Sequence, residues 1–120
     1  MASFRFEDLV IWKEAVDVSR DLFMTANKLR EDKYFAFADQ LYRATLSISN
    51  NIAEGSGSAS NKDFANYLMI SRKSVFECAN IIIMSYEFGL IDSDEKMRLL
   101  KSLMDLSKKI YFFRKTILSN

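Results

Sequence analysis

The sequence of 120 residues contains no histidine, no proline and only three glycines. Without histidine, the chain lacks the commonest general base near neutral pH and the helical zinc motifs built on imidazole. Without proline and with little glycine, long uninterrupted helices are favoured over a turn-rich β architecture. The single cysteine, Cys78, excludes an intrachain disulfide and a soft-metal site made by one chain.

Long hydrophobic runs are also missing. The densest apolar patch, Ile81 to Met84, is far shorter than the roughly 20 residues that span a bilayer. The N-terminus has neither the basic start nor the apolar core of a signal peptide. We therefore expect a cytoplasmic protein without a membrane partner, in which Cys78 is a buried thiol.

The motifs of common enzyme classes are absent as well. The segment Gly55-Ser-Gly57 lacks the Lys-Ser/Thr pair of a phosphate-binding loop. Glu54 and Glu77 could meet across two helices, but the di-iron pattern requires Glu-x-x-His pairs. We predict no catalytic residue, no metal, no cofactor and no small-molecule substrate. A carboxylate-based hydrolase or metal protein is the remaining enzymatic alternative.

What the chain does contain is apolar periodicity. Apolar residues recur at three- and four-residue steps in four segments, at about 7–28, 34–54, 61–88 and from the Asp92 cap to about 118. The sequence therefore predicts an all-α protein, one domain over residues 1–120, folded as an antiparallel up-down-up-down four-helix bundle. The predicted inner face of the first helix is Leu9, Trp12, Val16, Ser19, Phe23, Ala26 and Leu29. The predicted core is Trp12, Leu41, Ile48, Leu68, Val75, Ile82, Leu103 and Ile110.

Helix ends are marked by caps and glycines. Ser60 and Asp92 are typical residues for the position before a first helical turn. Gly55-Ser-Gly57 and Gly89 follow the second and third apolar patterns, and glycine suits the left-handed residue beyond a helix end. We therefore place the three connections at these positions and at the polar break 30–33.

A polar stripe runs along the second predicted helix. At helical spacing, one face carries Arg43, Ser47, Asn50, Asn51 and Glu54. Arg43 and Glu54 are roughly 16 Å apart along the axis, so they cannot pair with each other. The stripe is either a structural hydrogen-bond network or a functional surface, and we predict the former. Glu77 is the nearest acid on the third helix for Arg43, and loss of one member of a partly buried pair should be strongly destabilising.

Two segments carry a family resemblance. They are Phe6-Glu-Asp-Leu-Val-Ile-Trp-Lys-Glu-Ala15 and Gln40-Leu-x-Arg43-Ala-x-x-Ser47-Ile-x-x-Asn51-Ile-Ala-Glu-Gly55. From about Phe6 to Leu90, the chain resembles small bacterial four-helix-bundle proteins, some encoded in intervening sequences of 23S ribosomal RNA genes. More distantly, it is similar to the pentameric accessory proteins of diversity-generating retroelements, which bind nucleic acid and a reverse transcriptase.

The resemblance implies a motif-based polar network and a ring of five subunits. The network consists of Arg43, Ser47, Asn51, Glu54, Gly55 and Glu77. The chain departs from the family pattern at Lys73-Ser-Val-Phe-Glu77, where many relatives have Gly-Ser before the glutamate. Close backbone packing at that point is therefore not implied.

The fourth predicted helix has two adjacent apolar seams at heptad-like spacing. One seam is Leu100, Met104, Ser107, Tyr111 and Leu118, and the other is Leu99, Leu103, Leu106, Ile110, Phe113 and Ile117. Two seams require either a wide core face or a second chain. Because Ala38, Tyr42 and Leu46 add apolar side chains to the back of the second helix, we predict a homo-oligomer. The interface candidates are Leu99, Leu106 and Phe113.

Charge is nearly balanced overall, at +1, but unevenly placed. From residue 96 onward there is one acid and there are seven bases: Lys96, Arg98, Lys101, Lys108, Lys109, Arg114 and Lys115. These cations either complement the C-terminal end of the helix dipole or, repeated around an oligomer, form a surface for RNA or DNA. The sequence thus predicts a non-enzymatic oligomeric interaction or scaffolding protein, with RNA or a ribonucleoprotein as candidate partner. The alternative is a sequence-nonspecific nucleic-acid-binding accessory factor.

Overall fold

Four α-helices joined by short connections make up the fold. The structure is a computed structural model that describes residues 3–120. After a 3-10 turn at Arg5–Asp8, the helices are α1 Val10–Glu31, α2 Phe35–Ser56, α3 Asn61–Glu87 and α4 Ser93–Leu118. The connections 32–34, 57–60 and 88–92 are too short to cross the bundle, so consecutive helices run antiparallel. This confirms the predicted all-α, up-down-up-down four-helix bundle.

The helices form a square around one apolar core. Each packs against two neighbours, and within residues 3–120 the diagonal pairs α1–α3 and α2–α4 have no Cα atoms within 8 Å of each other. Seven of the eight predicted core residues are buried, the exception being Trp12, which is half-buried. Every helix in the described part of the chain falls short of the length and apolarity needed to cross a bilayer.

The predicted inner face of α1 is rotated by one residue from the observed one. Most of the predicted positions are half-buried, whereas the buried face is Ile11, Ala15, Val18, Leu22, Thr25, Ala26 and Leu29. The aromatic side chains of the predicted face lie at its edge. Trp12 packs on Phe6 of the N-terminal turn, with ring centroids 5.1 Å apart, and Phe23 packs edge-on against Tyr42 of α2 at 5.2 Å. Two apolar stripes adjoin on α1, and only one can face the bundle axis.

The helix ends follow the predicted caps. The Ser60 and Asp92 side chains accept hydrogen bonds from the backbone N–H groups of Asp63 and Glu95, at 3.1 Å and 2.8 Å. Beyond α3, Gly89 has a φ of +75°, the left-handed conformation that glycine adopts without strain. Lys33 takes the corresponding position after α1 with a φ of +68°, where a residue with a Cβ is uncommon.

Gly55 has a different role from the predicted one. Helix α2 continues through Ser56, and Gly57 has a φ of −89°, so neither glycine is a left-handed terminator. A Cβ at Gly55 would lie 2.7 Å from Tyr67 Cβ and 2.8 Å from Phe64 Cδ1. Glycine is therefore needed because the start of α3 passes directly over this backbone.

Serines let α2 and α3 approach closely further along their contact. The Ser71 hydroxyl of α3 donates to the backbone oxygen of Ile48 at 2.8 Å. Ser74 donates to Ser47 Oγ at the same distance. Small side chains that reach a neighbouring backbone require short interhelical separation. Although residues 73–77 depart from the family pattern, α2 and α3 pack closely there because the small side chain of Ser74 faces α2.

Candidate interaction surface

The predicted polar network lies at the surface between α2 and α3. Arg43 Nη2 donates to Glu77 Oε2 at 2.8 Å, but the two side chains are 63% and 39% exposed. The amide of Asn51 donates to the backbone oxygen and hydroxyl of Ser47 at 2.8 Å and 3.0 Å. Glu54 is exposed and makes no side-chain hydrogen bond within residues 3–120. The network is thus local. The predicted contact between Arg43 and Glu77 is present, and because both side chains are partly exposed, we expect the loss of one member to be less destabilising than in a buried pair.

We expect a coupling free energy of about 0.2–1 kcal/mol between Arg43 and Glu77, the range of exposed ion pairs. The measurement is a double-mutant cycle of denaturant unfolding with Arg43→Met and Glu77→Gln. High salt should reduce the coupling, because exposed charges are screened. A coupling of several kcal/mol, or one unaffected by salt, would contradict this surface assignment.

Four of the seven basic residues of α4 contact groups within the same chain. Lys96 Nζ lies 4.1 Å from the centroid of the Tyr86 ring. Arg98 is 3.8 Å from the Asp21 carboxylate, and Lys109 pairs with Glu14. Arg114 Nε donates to the backbone oxygen of Ala65 at 3.0 Å. Their charge therefore serves mainly to attach α4 to α1 and α3.

The other three basic residues form a row on the outside of α4. Lys101, Lys108 and Lys115 are exposed and seven residues apart, so they project from nearly the same side of the helix. Within residues 3–120 none of them takes part in an ion pair. We call these residues the lysine row.

Two of the predicted oligomer contacts belong to the core of the single chain. Leu99 and Leu106 are fully buried, so they cannot face another subunit and the prediction is wrong for both. Phe113 is half-buried, with its ring edge-on to Phe64 at 5.7 Å between centroids. This seam points toward the bundle axis. In the other seam, Met104, Tyr111 and Leu118 are exposed, whereas Leu100 is half-buried and Ser107 is buried.

On α4, the exposed residues of this seam form a row together with Met97, and a similar row lies on α3. Large apolar side chains recur every seven residues along both helices, and each is between 40% and 64% exposed. The residues are Met69, Phe76 and Ile83 on α3, and Met97, Met104, Tyr111 and Leu118 on α4. We call these two rows the α3–α4 face. Heptad rows of this kind are typical of a helix surface that packs against another helix.

An apolar groove separates the two rows. Its volume is about 190 Å³, and its walls include Phe76 and Ile83 of α3 and Leu100 and Met104 of α4. Toward one end of the face, the Arg72 guanidinium lies 5.1 Å from the centroid of Phe76 and 5.2 Å from that of Tyr111. The surface thus offers apolar contact, aromatic rings and positive charge, which suits binding a macromolecule.

The Cys78 thiol is not activated as a nucleophile. Burial raises the pKa of the Cys78 thiol to about 12, with a smaller opposing effect from the hydrogen bond to Thr45 and a smaller addition from the charge of Glu77. The thiol is therefore protonated at neutral pH. Among residues 3–120, no three His, Cys, Asp or Glu side chains are grouped to hold a metal ion.

The predicted seam of α4 that begins at Leu100 contained three of the four exposed residues of its row, but the interface was assigned to the neighbouring seam, and the row on α3 was not predicted. For the row on α4, the spacing of lysines in the sequence indicates which apolar residues are exposed. Met97, Met104 and Tyr111 are each followed four residues later by a lysine of the lysine row. Lysine is rarely buried, so apolar residues one helical turn from each lysine border solvent.

The chain is similar to a known protein family and to a solved structure. The sequence profile of the 23S rRNA-intervening sequence protein family matches residues 7–112. A solved structure from Bacteroides thetaiotaomicron, described as a protein with unknown function from the S23 ribosomal protein family, superposes with a TM-score of 0.84. It is 21% identical and the alignment covers 88% of this chain and 99% of that one, which shows a shared fold. No curated protein matches the sequence.

Proposed function

Because the chain belongs to the family of 23S rRNA-intervening sequence proteins, we propose that it is a non-enzymatic interaction protein that assembles into a homo-oligomer. The observation that supports this proposal is the α3–α4 face, with two exposed heptad rows of large apolar side chains. Contiguous apolar patches on soluble proteins mark interaction sites more often than scattered apolar residues do.

The α3–α4 face supplies a large part of the area that a specific interface requires. Its rows are about 21 Å long on α3 and about 32 Å long on α4, and two adjacent helices are about 20 Å wide, so the face measures about 500 Å². Specific protein interfaces bury about 800 Å² on each partner, so side chains flanking the two rows must contribute the rest. The ring of five implied by the family resemblance is the assembly that we expect.

We expect Met104→Lys to convert the oligomer into monomers, because it places a charge in the middle of the apolar row of α4. Light scattering of the parent and the variant measures the change, and circular dichroism checks that both remain helical. Met24→Lys is the matched control, since Met24 is exposed at 70% on α1, away from the face. A monomeric parent protein would overturn the proposal.

A second candidate function is sequence-nonspecific binding of single-stranded nucleic acid. It is favoured by the lysine row together with the Arg72 guanidinium between Phe76 and Tyr111. Proteins that bind single strands combine a positive surface with aromatic rings on which bases stack.

The test is binding of a labelled single-stranded RNA at increasing salt concentration. For Lys108→Gln with Lys115→Gln, the slope of log affinity against log salt should become shallower by about 0.7 per lysine lost. Lys109→Gln is the control, because Lys109 already pairs with Glu14. Failure to bind RNA or DNA at low salt would leave only the assembly proposal.

A further inference from the structure

Charge argues against pairing of the α3–α4 face with itself. The lysine row, 101–115, is centred on nearly the same point of α4 as the apolar row, 97–118. Suppose that two copies pack their α3–α4 faces against each other. If the two-fold axis is perpendicular to the helices, α4 lies opposite α4 of the second copy, and Lys108 faces Lys108. If the axis is parallel to the helices, α4 lies opposite α3 of the second copy, and the lysine row faces Arg72 and Lys73. Each arrangement opposes more like charges than Asp105, the single acid beside the lysine row, can offset, which disfavours association.

Another surface of the same chain has the complementary charge. The outward side of α2 carries Asp39, Arg43, Leu46, Asn50, Ala53 and Glu54, and we call it the outer face of α2. The charge of Arg43 is offset by Glu77 of α3, 2.8 Å away, so Asp39 and Glu54 carry the net charge of this face. Leu46 is 50% exposed. Neither Asp39 nor Glu54 takes part in an ion pair within residues 3–120. An exposed leucine between two unpaired acids is what a basic, apolar face requires of a partner.

We propose that the outer face of α2 in one copy docks on the α3–α4 face of the next copy. This inference rests on the proposed assembly and names both of its surfaces. Helices α2 and α4 are diagonal in the bundle, with no Cα atoms within 8 Å of each other among the described residues. A chain therefore cannot cover its own α3–α4 face with its own α2, and both surfaces remain available to other copies.

The spacing of the charges matches along the two helices. Asp39 and Glu54 are about 22 Å apart along α2, and Lys101 and Lys115 are about 21 Å apart along α4. Leu46 lies halfway between Asp39 and Glu54 on α2. On α4 of the next copy, Met104 and Tyr111 lie on either side of the midpoint of the lysine row, so they are opposite Leu46 when the charges are aligned. The leucine thus meets the apolar row while both acids reach lysines.

The shape of α2 suits the same contact. On the side of Leu46 toward the C-terminal end of α2, the side chains at 49, 50 and 53 are Ser, Asn and Ala, whereas Tyr42 and Arg43 on the preceding turn are large. Short side chains allow two helix backbones to approach, so the leucine can enter between the larger side chains of the opposing face. The contact uses a different patch on each copy, and such head-to-tail contacts close into rings or extend into filaments.

Mixing two assembly-deficient variants tests the inference. Leu46→Lys removes the docking residue of α2, and Met104→Lys blocks the α3–α4 face. We expect each variant alone to be monomeric by light scattering. We expect an equimolar mixture to form a species of two chains, since one intact α2 and one intact α3–α4 face remain. The second possible junction would bring the two introduced lysines together, so the pair does not grow further.

Other outcomes separate the two proposals. If the parent assembles and Leu46→Lys assembles equally well, the inference is overturned while the proposed function stands. The same holds if the mixture of variants stays monomeric. If the parent is monomeric, both are overturned. Met24→Lys on α1 should assemble like the parent, and circular dichroism must show the parent helix content in each variant.

Discussion

Replacing Ile48 with alanine is expected to lower the free energy of unfolding by about 2–4 kcal/mol. The Ile48 side chain is fully buried on α2, and its backbone oxygen accepts the hydrogen bond from Ser71 of α3. Truncation removes buried methyl groups and leaves a cavity, because helices held at short separation cannot collapse to fill it.

Denaturant unfolding measures the loss through the transition midpoint and slope. Leu46→Ala, on the same helix and half exposed, is the control. Measured at a concentration where the chain is dissociated, it should change stability by only about 0.5 kcal/mol. An unchanged midpoint for Ile48→Ala would show that this side chain does not face the core.

Gly55→Val is expected to destabilise the protein by about 3 kcal/mol, because its side chain overlaps α3. The first added carbon would already lie within 3 Å of Phe64 and Tyr67. The Phe64 ring is buried and packed against Phe113, so it has no free space to move into. The backbones of α2 and α3 would have to separate at this end of their contact.

Gly57→Val is the matched control for this prediction. A Cβ at Gly57 meets nothing closer than 3.6 Å, and this exposed residue has an ordinary negative φ. Its substitution should change the free energy of unfolding by about 0.5 kcal/mol. Equal losses at the two positions would mean that glycine is required for backbone conformation and not for the approach of α3.

The fold was predictable because its signals are local. Apolar residues at helical spacing identified four helices, and the caps at Ser60 and Asp92 placed two of their starts. The phase of α1 was not predictable in the same way. Its predicted and observed inner faces are both apolar, and the choice depends on Phe6 and Tyr42 covering Trp12 and Phe23. Such coverage is a property of the packed structure.

The interaction surface was only partly predictable for a related reason. Spacing shows two apolar seams on α4, but the direction of each depends on where α1 and α3 lie. Likewise, the ion pair between Arg43 and Glu77 follows from antiparallel neighbours, whereas its exposure requires the full arrangement of side chains. The partners of Arg98 and Lys109 lie on α1, far away in sequence, so the smaller set of unpaired lysines became visible only in the fold.

Because Cys78 is buried, the rate at which its thiol is labelled reports how often the bundle opens. The thiolate is the form that attacks a thiol reagent, and the folded protein holds this group protonated and out of solvent. In an opened chain the same thiol regains an ordinary pKa near 8.5. When reclosing is faster than modification, the labelling rate is the intrinsic rate multiplied by the fraction of open molecules. With one cysteine in the sequence, that rate reports the opening of α3 from the bundle without any added probe.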